Sequence, residues 1–422
     1  MELQRLTSSI IKNKKVLVRA DLDVPLEEKN GKLQVADDNR LQLAKDTITF
    51  ITEHQGVCIL IGHLGRPEKK DPQKSFKPVA NHLSQLLNQP VIFIDDCIGD
   101  AVQKQIEHQP PGSVIVLENL RYYSEEQAND AHFAKQLASL ADVYVNEAFS
   151  TSHRTHASIV GIPTYLPAYA GFNLAKEVET FSNLMTKPKR PFVMIVGGAK
   201  ISDKVEAIEH LTSIADVVLV GGGVANNFLK ADGFDVQKSY LQDTPADLKK
   251  KGTDYIEAAA EMIHDTKQDR LLKDGYIPLP KIIYPIDVIA ATSPKSKSGK
   301  VIELVNGNHH EATKKGLMYL DIGPKTIKLF QEIILQAGTV FWNGPMGVFE
   351  NKAFANGTRE IGQTVAKATA TTILGGGDTI GAINDFKLNG RFDYVSGAGG
   401  AALEFLSGKM LPGIKPLLKR KS

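Results

Sequence analysis

Short apolar runs alternate with amphipathic stretches along the whole chain. The runs at 16–19, 57–61, 91–94, 114–117 and 143–145 are rich in Val and Ile and have the length of buried strands. Between them apolar residues recur at spacings of three and four, as at Leu41, Ala44, Ile48 and Ile51, which predicts helices. Strands that are apolar throughout and separated by helices imply parallel sheets covered on both faces. The rhythm resets after Pro163 and Pro167. A helical segment at 172–185 leads to the Pro- and Lys-rich break TKPKRP, and a second series follows at 192–196, 217–220, 281–289, 339–342, 371–374 and 392–395. The fold class expected is α/β: two doubly wound parallel-sheet (Rossmann-like) lobes joined by a hinge helix. The most polar stretch, 293–316, reads as an exposed excursion, with His309 and His310 as solvated loop residues.

Composition narrows the partners. The 422 residues are 42% apolar and 23% charged, close to a globular average, and the formal charge is +2. A balance this even argues against a dedicated nucleic-acid or membrane-surface protein, and any basic feature must be local. Lys415, Lys419, Arg420 and Lys421 near the C-terminus read as a solvated tail. Cys58 and Cys97, each at an apolar strand, suggest buried thiols in a reducing compartment. No run has the ~20 apolar residues of a membrane span, and a cytoplasmic location is expected.

In parallel α/β sheets, ligands bind beyond the carboxyl ends of the strands. The second half places glycines there: FVMIV runs into Gly197-Gly198-Ala199-Lys200, VVLV into Gly221-Gly222-Gly223, TTIL into Gly375-Gly376-Gly377-Asp378, and FDYV into Ser396-Gly397-Ala398-Gly399-Gly400. Glycine permits close backbone approach, and a following helix N-terminus offers free N–H groups to an anion. One such turn is often packing alone; four in one half favour phosphate. The three Gly-Lys pairs lack a following Ser or Thr, so no P-loop is present. Lys200 and Lys204, four apart around a predicted helix start, are candidates to neutralise phosphate charge. Asp378 is either an ordinary N-cap or a Mg²⁺ ligand. The first half instead places Arg19, Asp21 and Asp23 after its first strand, His63 and Arg66 after the second, Arg121 after the fourth, and His153, Arg154 and His156 after the fifth, with Arg40 opening the first helix. Converging arginines suit bidentate carboxylate or phosphate recognition. The histidines have no Cys or Glu at metal-ligand spacing.

Taken in order, KKVLVRADLDVPL, ADDNRL, GHLGRP, LENLRYY, LASLADVYVNEAFSTSHRTHAS, GGAKISDK, LVGGGVANNFLKA, LDIGPKT, FWNGPMGVFE, ILGGGDT and LEFLSGKMLPG resemble phosphoglycerate kinase over nearly the whole chain. The resemblance implies a lobe at 1–170 that binds phosphoglycerate, an interdomain helix at 171–186, a nucleotide lobe at 187–402, and a segment at 403–422 returning to the first lobe. It implies substrate contacts from Asp21, Leu22, Asp23, Arg40, His63, Leu64, Gly65, Arg66, Arg121, His153 and Arg154. Nucleotide contacts would come from Gly198, Ala199, Lys200, Lys204, Gly221, Gly222, Tyr319, Leu320, Asn343, Pro345, Glu350, Gly375, Gly376, Gly377, Asp378 and Thr379, with Asp378 holding Mg²⁺. Catalysis would rest on Arg40, Lys200 and the turns at Gly376 and Gly399, in a hinge-bending monomer. The implied reaction moves a phosphoryl group between 1,3-bisphosphoglycerate and Mg-ADP, giving 3-phosphoglycerate and Mg-ATP. Neither direction needs a general base, because the nucleophile is already ionised.

Several positions depart from the family pattern. Asp23 stands where Asn is usual, Tyr319 replaces a glycine near the adenine site, and Gly397-Ala398 replaces Thr-Gly. Gly62, Glu147, Ser150, Ser152 and Thr155 differ around the basic cleft. A like charge 4 Å from Asp23 costs up to about 4 kcal/mol at an effective dielectric of 20, so an arginine or a proton must offset it. A positive φ at Ala398 would cost roughly 1–2 kcal/mol. A catalytically weakened binding relative, and a nicotinamide-dependent dehydrogenase lacking its early glycine fingerprint, are the competing readings.

Overall fold

A computed structural model of the chain describes residues 1–242, 254–264, 270–272, 275–277, 280–304 and 316–419. The chain divides into two units, Met1–Ser182 with Met410–Ser422, and Asn183–Lys409. The division falls within the helix Phe172–Thr186.

The first unit contains β1 (Lys15–Arg19), β2 (Leu26–Lys29), β3 (Lys32–Val35), β4 (Val57–Ile61), β5 (Val91–Ile94), β6 (Val114–Leu117), β7 (Val143–Asn146) and β8 (Ala168–Ala170). Six of these form one parallel sheet in the order β5-β6-β4-β1-β7-β8. Every residue of β4 and β6 is buried, which is why both read as continuous apolar runs. The helix Asn39–Glu53 turns Leu41, Ala44, Ile48 and Ile51 into the core, as their spacing predicts. β2 and β3 form a hairpin around Asn30 and Gly31, both at positive φ, an Asn-Gly turn that the apolar pattern alone does not reveal. The order β6-β4-β1-β7 sets side by side the four strand ends that carry Arg121, His63, Asp21 and Arg154.

The second unit contains β9 (Phe192–Val196), β10 (Val217–Val220), β11 (Arg270–Leu272), β12 (Gly275–Ile277), β13 (Ile282–Ile283), β14 (Asp287–Ala291), β15 (Lys300–Glu303), β16 (Met318–Ile322), β17 (Thr339–Asn343), β18 (Thr371–Gly375) and β19 (Tyr394–Ser396). Its parallel sheet runs β13-β10-β9-β17-β18-β19, so the glycine turns after β10, β9, β18 and β19 lie along one sheet edge with the Gly344 turn after β17. The single strand expected at 281–289 is two. β13 pairs with β10, then Pro285, which has no N–H to give a ladder, precedes β14 in a separate antiparallel sheet β15-β14-β16. His309 and His310 lie outside the described residues.

The C-terminal end also differs from expectation. Gly400–Leu406 is a helix of the second unit, packed on the helix Val205–Ile214, and Lys409 Nζ is 2.6 Å from Glu206. The segment belonging to the first unit therefore begins at Met410, not at Leu403. Its backbone is held while Lys415 and Lys419 are exposed as expected: Gln4 N donates to Leu417 O at 2.7 Å, Lys419 N to Glu2 O at 3.0 Å, and Leu417 is fully buried. Arg420 and Lys421 lie outside the described residues.

Candidate functional site

In the first unit the basic residues converge as their strand ends do. Arg66, Arg121, Arg154, His156, Ser124 and Gln127 line a cleft of about 460 Å³. Burial, and then mutual repulsion, acts on His156, Arg121 and Arg154. His156 is pushed down to about 4, first by burial and then by Arg121 and Arg154. Arg121 and Arg154 are both pushed down, again first by burial and then by neighbouring arginines. Arginine keeps its charge regardless, so the result is a surplus of positive charge held in place for an anion. Arg121 is 5% exposed, and its buried Nε has no hydrogen-bond partner among the described residues.

Asp21 and Asp23 stand beside Arg40. Arg40 Nη1 donates to Asp21 Oδ1 at 3.0 Å and lies 3.9 Å from Asp23 Oδ2; Ser150 Oγ donates to Asp21 Oδ2 at 2.5 Å. Asp23 Oδ1 accepts from Gly65 N at 2.8 Å, where Gly65 has φ +64. The charge of Asp23 is thus offset by Arg40 and a backbone amide. His63 is 5% exposed and reaches toward Asp23, with 3.9 Å between Nε2 and Oδ2. Leu22 and Leu64 are core residues; Leu64 is fastened through its backbone to the Asn119 side chain at 3.2 and 2.9 Å. His153 and Arg154 lie on the turn after Phe149–Thr151, against which the returning segment packs, since Gly413 N donates to Ser152 O at 2.8 Å.

The second unit holds a pocket of about 260 Å³. Gly198, Ala199, Gly222, Pro345, Glu350 and Asp378 line it together with Tyr319 and Leu320. The glycines are required. Gly222 has φ +60, and a Cβ there would stand 2.8 Å from Gly198 N and 2.9 Å from Pro345 O. Gly376, at φ +93, caps the helix Gly377–Asp385, whose first turn carries an exposed Asp378. Asn343 ends β17 facing this turn, and its buried Nδ2 has no hydrogen-bond partner among the described residues. Lys204 lies by Gly198; burial lowers its pKa, while Asp203 and Asp378 act to raise it.

Other expected residues fall differently. The helix after β9 begins only at Val205, so Lys200 sits exposed in the preceding turn and does not share a helical face with Lys204. The Thr379 hydroxyl is engaged, accepting from Gly344 N at 2.7 Å and donating to Gly375 O at 2.8 Å. Gly221 N is tied to Val196 O at 2.8 Å. Gly399 follows the edge strand β19 and is not among the residues lining the pocket. It takes the positive φ, +54, so Ala398 carries no left-handed strain. Tyr319 is anchored, its hydroxyl donating to Asp235 O at 3.0 Å and its N–H to Ser239 Oγ at 2.8 Å.

Two buried carboxylates escape sequence reading because their partners are remote. Glu126 accepts from Ser158 N at 2.9 Å and Ser158 Oγ at 2.5 Å, behind the first-unit cleft. Asp321 lines the second-unit pocket, accepts from Gly357 N at 2.8 Å, and is pushed up to about 7 by burial. Among the described residues no group of three or more His, Cys, Asp or Glu is placed to hold a metal, and no helix is long and apolar enough to cross a membrane.

Comparison with known proteins bears on this geometry. A family model described as phosphoglycerate kinase matches residues 6–409. The chain is 42% identical over 408 residues to the phosphoglycerate kinase of Dictyoglomus turgidum, covering 96% of each chain. It is 40% identical over 405 residues to that of Borreliella burgdorferi, again covering 96% of each. The structure of phosphoglycerate kinase from Coxiella burnetii superposes with a TM-score of 0.79 at 38% identity, over 97% of each chain. That from Pyrococcus horikoshii gives 0.79 at 32% identity over 98% of each.

Proposed function

Because this chain belongs to the phosphoglycerate kinase family, we propose that its first unit binds phosphoglycerate and its second binds Mg-nucleotide, through the residues described above. Family membership makes the chain a phosphotransferase with a carboxyl group as acceptor, acting reversibly between 1,3-bisphosphoglycerate with ADP and 3-phosphoglycerate with ATP. The match supports this reading over the dehydrogenase and the weakened relative.

One observation carries the assignment of sites: among the described residues each unit has a buried donor without a hydrogen-bond partner beside its clustered residues, Arg121 Nε among the first unit's arginines and Asn343 Nδ2 facing the Gly376 turn. In the first unit Arg66, Arg121 and Arg154 would hold the phosphate, and His63 and Arg40 the carboxyl end. In the second, backbone N–H groups of the Gly198, Gly222 and Gly376 turns would hold the nucleotide phosphates, with Lys204 neutralising their charge. Tyr319, Leu320 and Pro345 would flank the base. The phosphoryl group moves from acyl oxygen to an ADP oxygen that is already ionised, so no residue has to accept a proton. Turnover then depends on holding attacking oxygen, phosphorus and leaving oxygen in line, and on cations around the transferring group. Arg40 and the exposed Lys200 supply those cations.

The donor set fits Mg²⁺. Asp378 is one exposed carboxylate at the rim of a phosphate pocket, and Mg²⁺ prefers one or two carboxylates with phosphate oxygens and water. Bound there, it would neutralise charge on the nucleotide phosphates. Two fully buried free cysteines fit a cytoplasmic enzyme, and we propose that it acts as a monomer.

Lys200→Ala tests the assignment. Turnover should fall by at least about a hundredfold, the scale of losing one positioned charge at a transferring group, while the affinity for 3-phosphoglycerate changes little. Near-normal turnover would remove Lys200 from the mechanism.

A further inference from the structure

Arg19 does not line the first-unit cleft, yet it is among the largest fully buried side chains of that unit. It is 1% exposed, and three hydrogen bonds orient its guanidinium. Nε donates to Ser158 Oγ at 3.0 Å, Nη1 to Ala20 O at 2.5 Å, and Nη2 meets His63 Nδ1 at 3.0 Å. A guanidinium only donates. Nδ1 of His63 must therefore be the acceptor, and the single ring proton of a neutral imidazole must sit on Nε2.

The orientation is braced from behind. Ser158 Oγ spends its proton on Glu126 Oε1, so a lone pair is left for Arg19 Nε, and Ser158 N fixes Oε2 of the same buried carboxylate. In front, Nε2 points to the edge where Asp23 and Arg40 meet, 3.9 Å from Asp23 Oδ2. The ring stays neutral because burial, followed by the charges of Arg19, Arg121 and Arg154, with a smaller contribution from His156, presses its pKa down to about 2.

We propose that Arg19 is a positioning residue of the phosphoglycerate site: by donating to Nδ1 it locks His63 as the Nε2–H tautomer, so that a neutral ring presents one fixed N–H donor to the substrate anion beside Arg40. This deepens the site assignment above and rests on it. The arrangement separates two tasks. The arginines supply charge, and His63 supplies direction, because a locked neutral donor adds a hydrogen bond without adding to the repulsion among the cations. A ring free to exchange tautomers would present a lone pair to the anion part of the time.

The test uses the full-length protein labelled with ¹⁵N-histidine, with His63 assigned by the signal lost in His63→Gln. In the free enzyme at neutral pH, long-range ¹H–¹⁵N spectra should show a pyridine-like Nδ1 and a pyrrole-like Nε2. The opposite pattern, or an averaged one, overturns the lock. Arg19→Met, which removes the donor to Nδ1, should turn the pattern into an average and raise KM for 3-phosphoglycerate on the order of tenfold, with KM for ATP unchanged. Substitutions at His63 itself test the donor without disturbing Arg19. Gln places an amide nitrogen near Nε2 and should keep 3-phosphoglycerate affinity within about threefold, whereas Asn places one near Nδ1 and should lose about tenfold. Equal losses from Gln and Asn would overturn the donor role. A locked tautomer with both variants binding normally would instead overturn the placement of phosphoglycerate in this cleft.

Discussion

Asp23 places a carboxylate beside Arg40 and His63 in the proposed phosphoglycerate site, and replacing it by Asn isolates the effect of that one charge. Asn can still accept from Gly65 N, now at 2.8 Å from Asp23 Oδ1, so the loop geometry should persist. Arg40 also stays in place, because its 3.0 Å bond is to Asp21. What changes is the electrostatics. At 3.9 Å, Asp23 and Arg40 interact with roughly 4 kcal/mol at an effective dielectric of 20. Their side chains are 35% and 41% exposed, however, and pairs so open to water are worth closer to about 1 kcal/mol. That remainder is attraction the wild-type cleft spends on its own carboxylate. Asp23→Asn should therefore lower KM for 3-phosphoglycerate about fivefold in a coupled assay at low ionic strength. The advantage should shrink near 1 M salt, where the screening length is about 3 Å. An unchanged or raised KM at low salt would refute the reasoning, and would mean that the bound substrate uses the Asp23 carboxylate as an acceptor.

Two other outcomes follow from packing and burial. Gly222→Ala puts a Cβ 2.8 Å from Gly198 N at φ +60, so ATP should no longer protect against thermal unfolding while 3-phosphoglycerate still does; retained ATP protection would show that this turn does not approach the phosphates. Glu147 is buried under Gly171, accepts from Thr47 Oγ1 at 2.9 Å and Asn173 N at 3.0 Å, and is pushed up to about 8 by burial. Its raised pKa means that the folded state holds a proton the unfolded chain releases near 4.5. The associated stability is full below that pH and is lost as pH rises to about 8, by up to about 1.4 kcal/mol per unit. Denaturant titrations of wild type and Glu147→Gln should converge or cross over this window, and parallel pH profiles would count against a buried proton on Glu147.

Periodicity is local, so β4 and β6, which are buried on both faces, and the helix bearing Leu41, Ala44, Ile48 and Ile51 were legible from short windows. Pro285 shows the limit: a composition of nine apolar-rich residues could not say that the chain leaves one sheet there and enters another. The chemistry divides in the same way. Strand-end arginines in one half and glycine turns in the other are visible in one dimension, because residue type alone limits what a strand end can hold.

What each residue does depends on partners far along the chain. Arg19 finds Ser158 at a separation of 139 residues, and that contact, not its place at the end of β1, turns it from one more cation into a brace for His63. The positive φ of the last glycine turn falls on Gly399, which removes the strain that adjacency to Ala398 suggested. Lys200 and Lys204 are four apart, but the helix starts one residue later and separates their roles. The return of the C-terminus beginning at Met410 rests on hydrogen bonds to Glu2, Gln4 and Ser152, more than 250 residues away in each case. Local pattern selects the elements and the kind of phosphate grip; only non-local hydrogen bonding and burial assign a direction, a tautomer and a charge to each group within it.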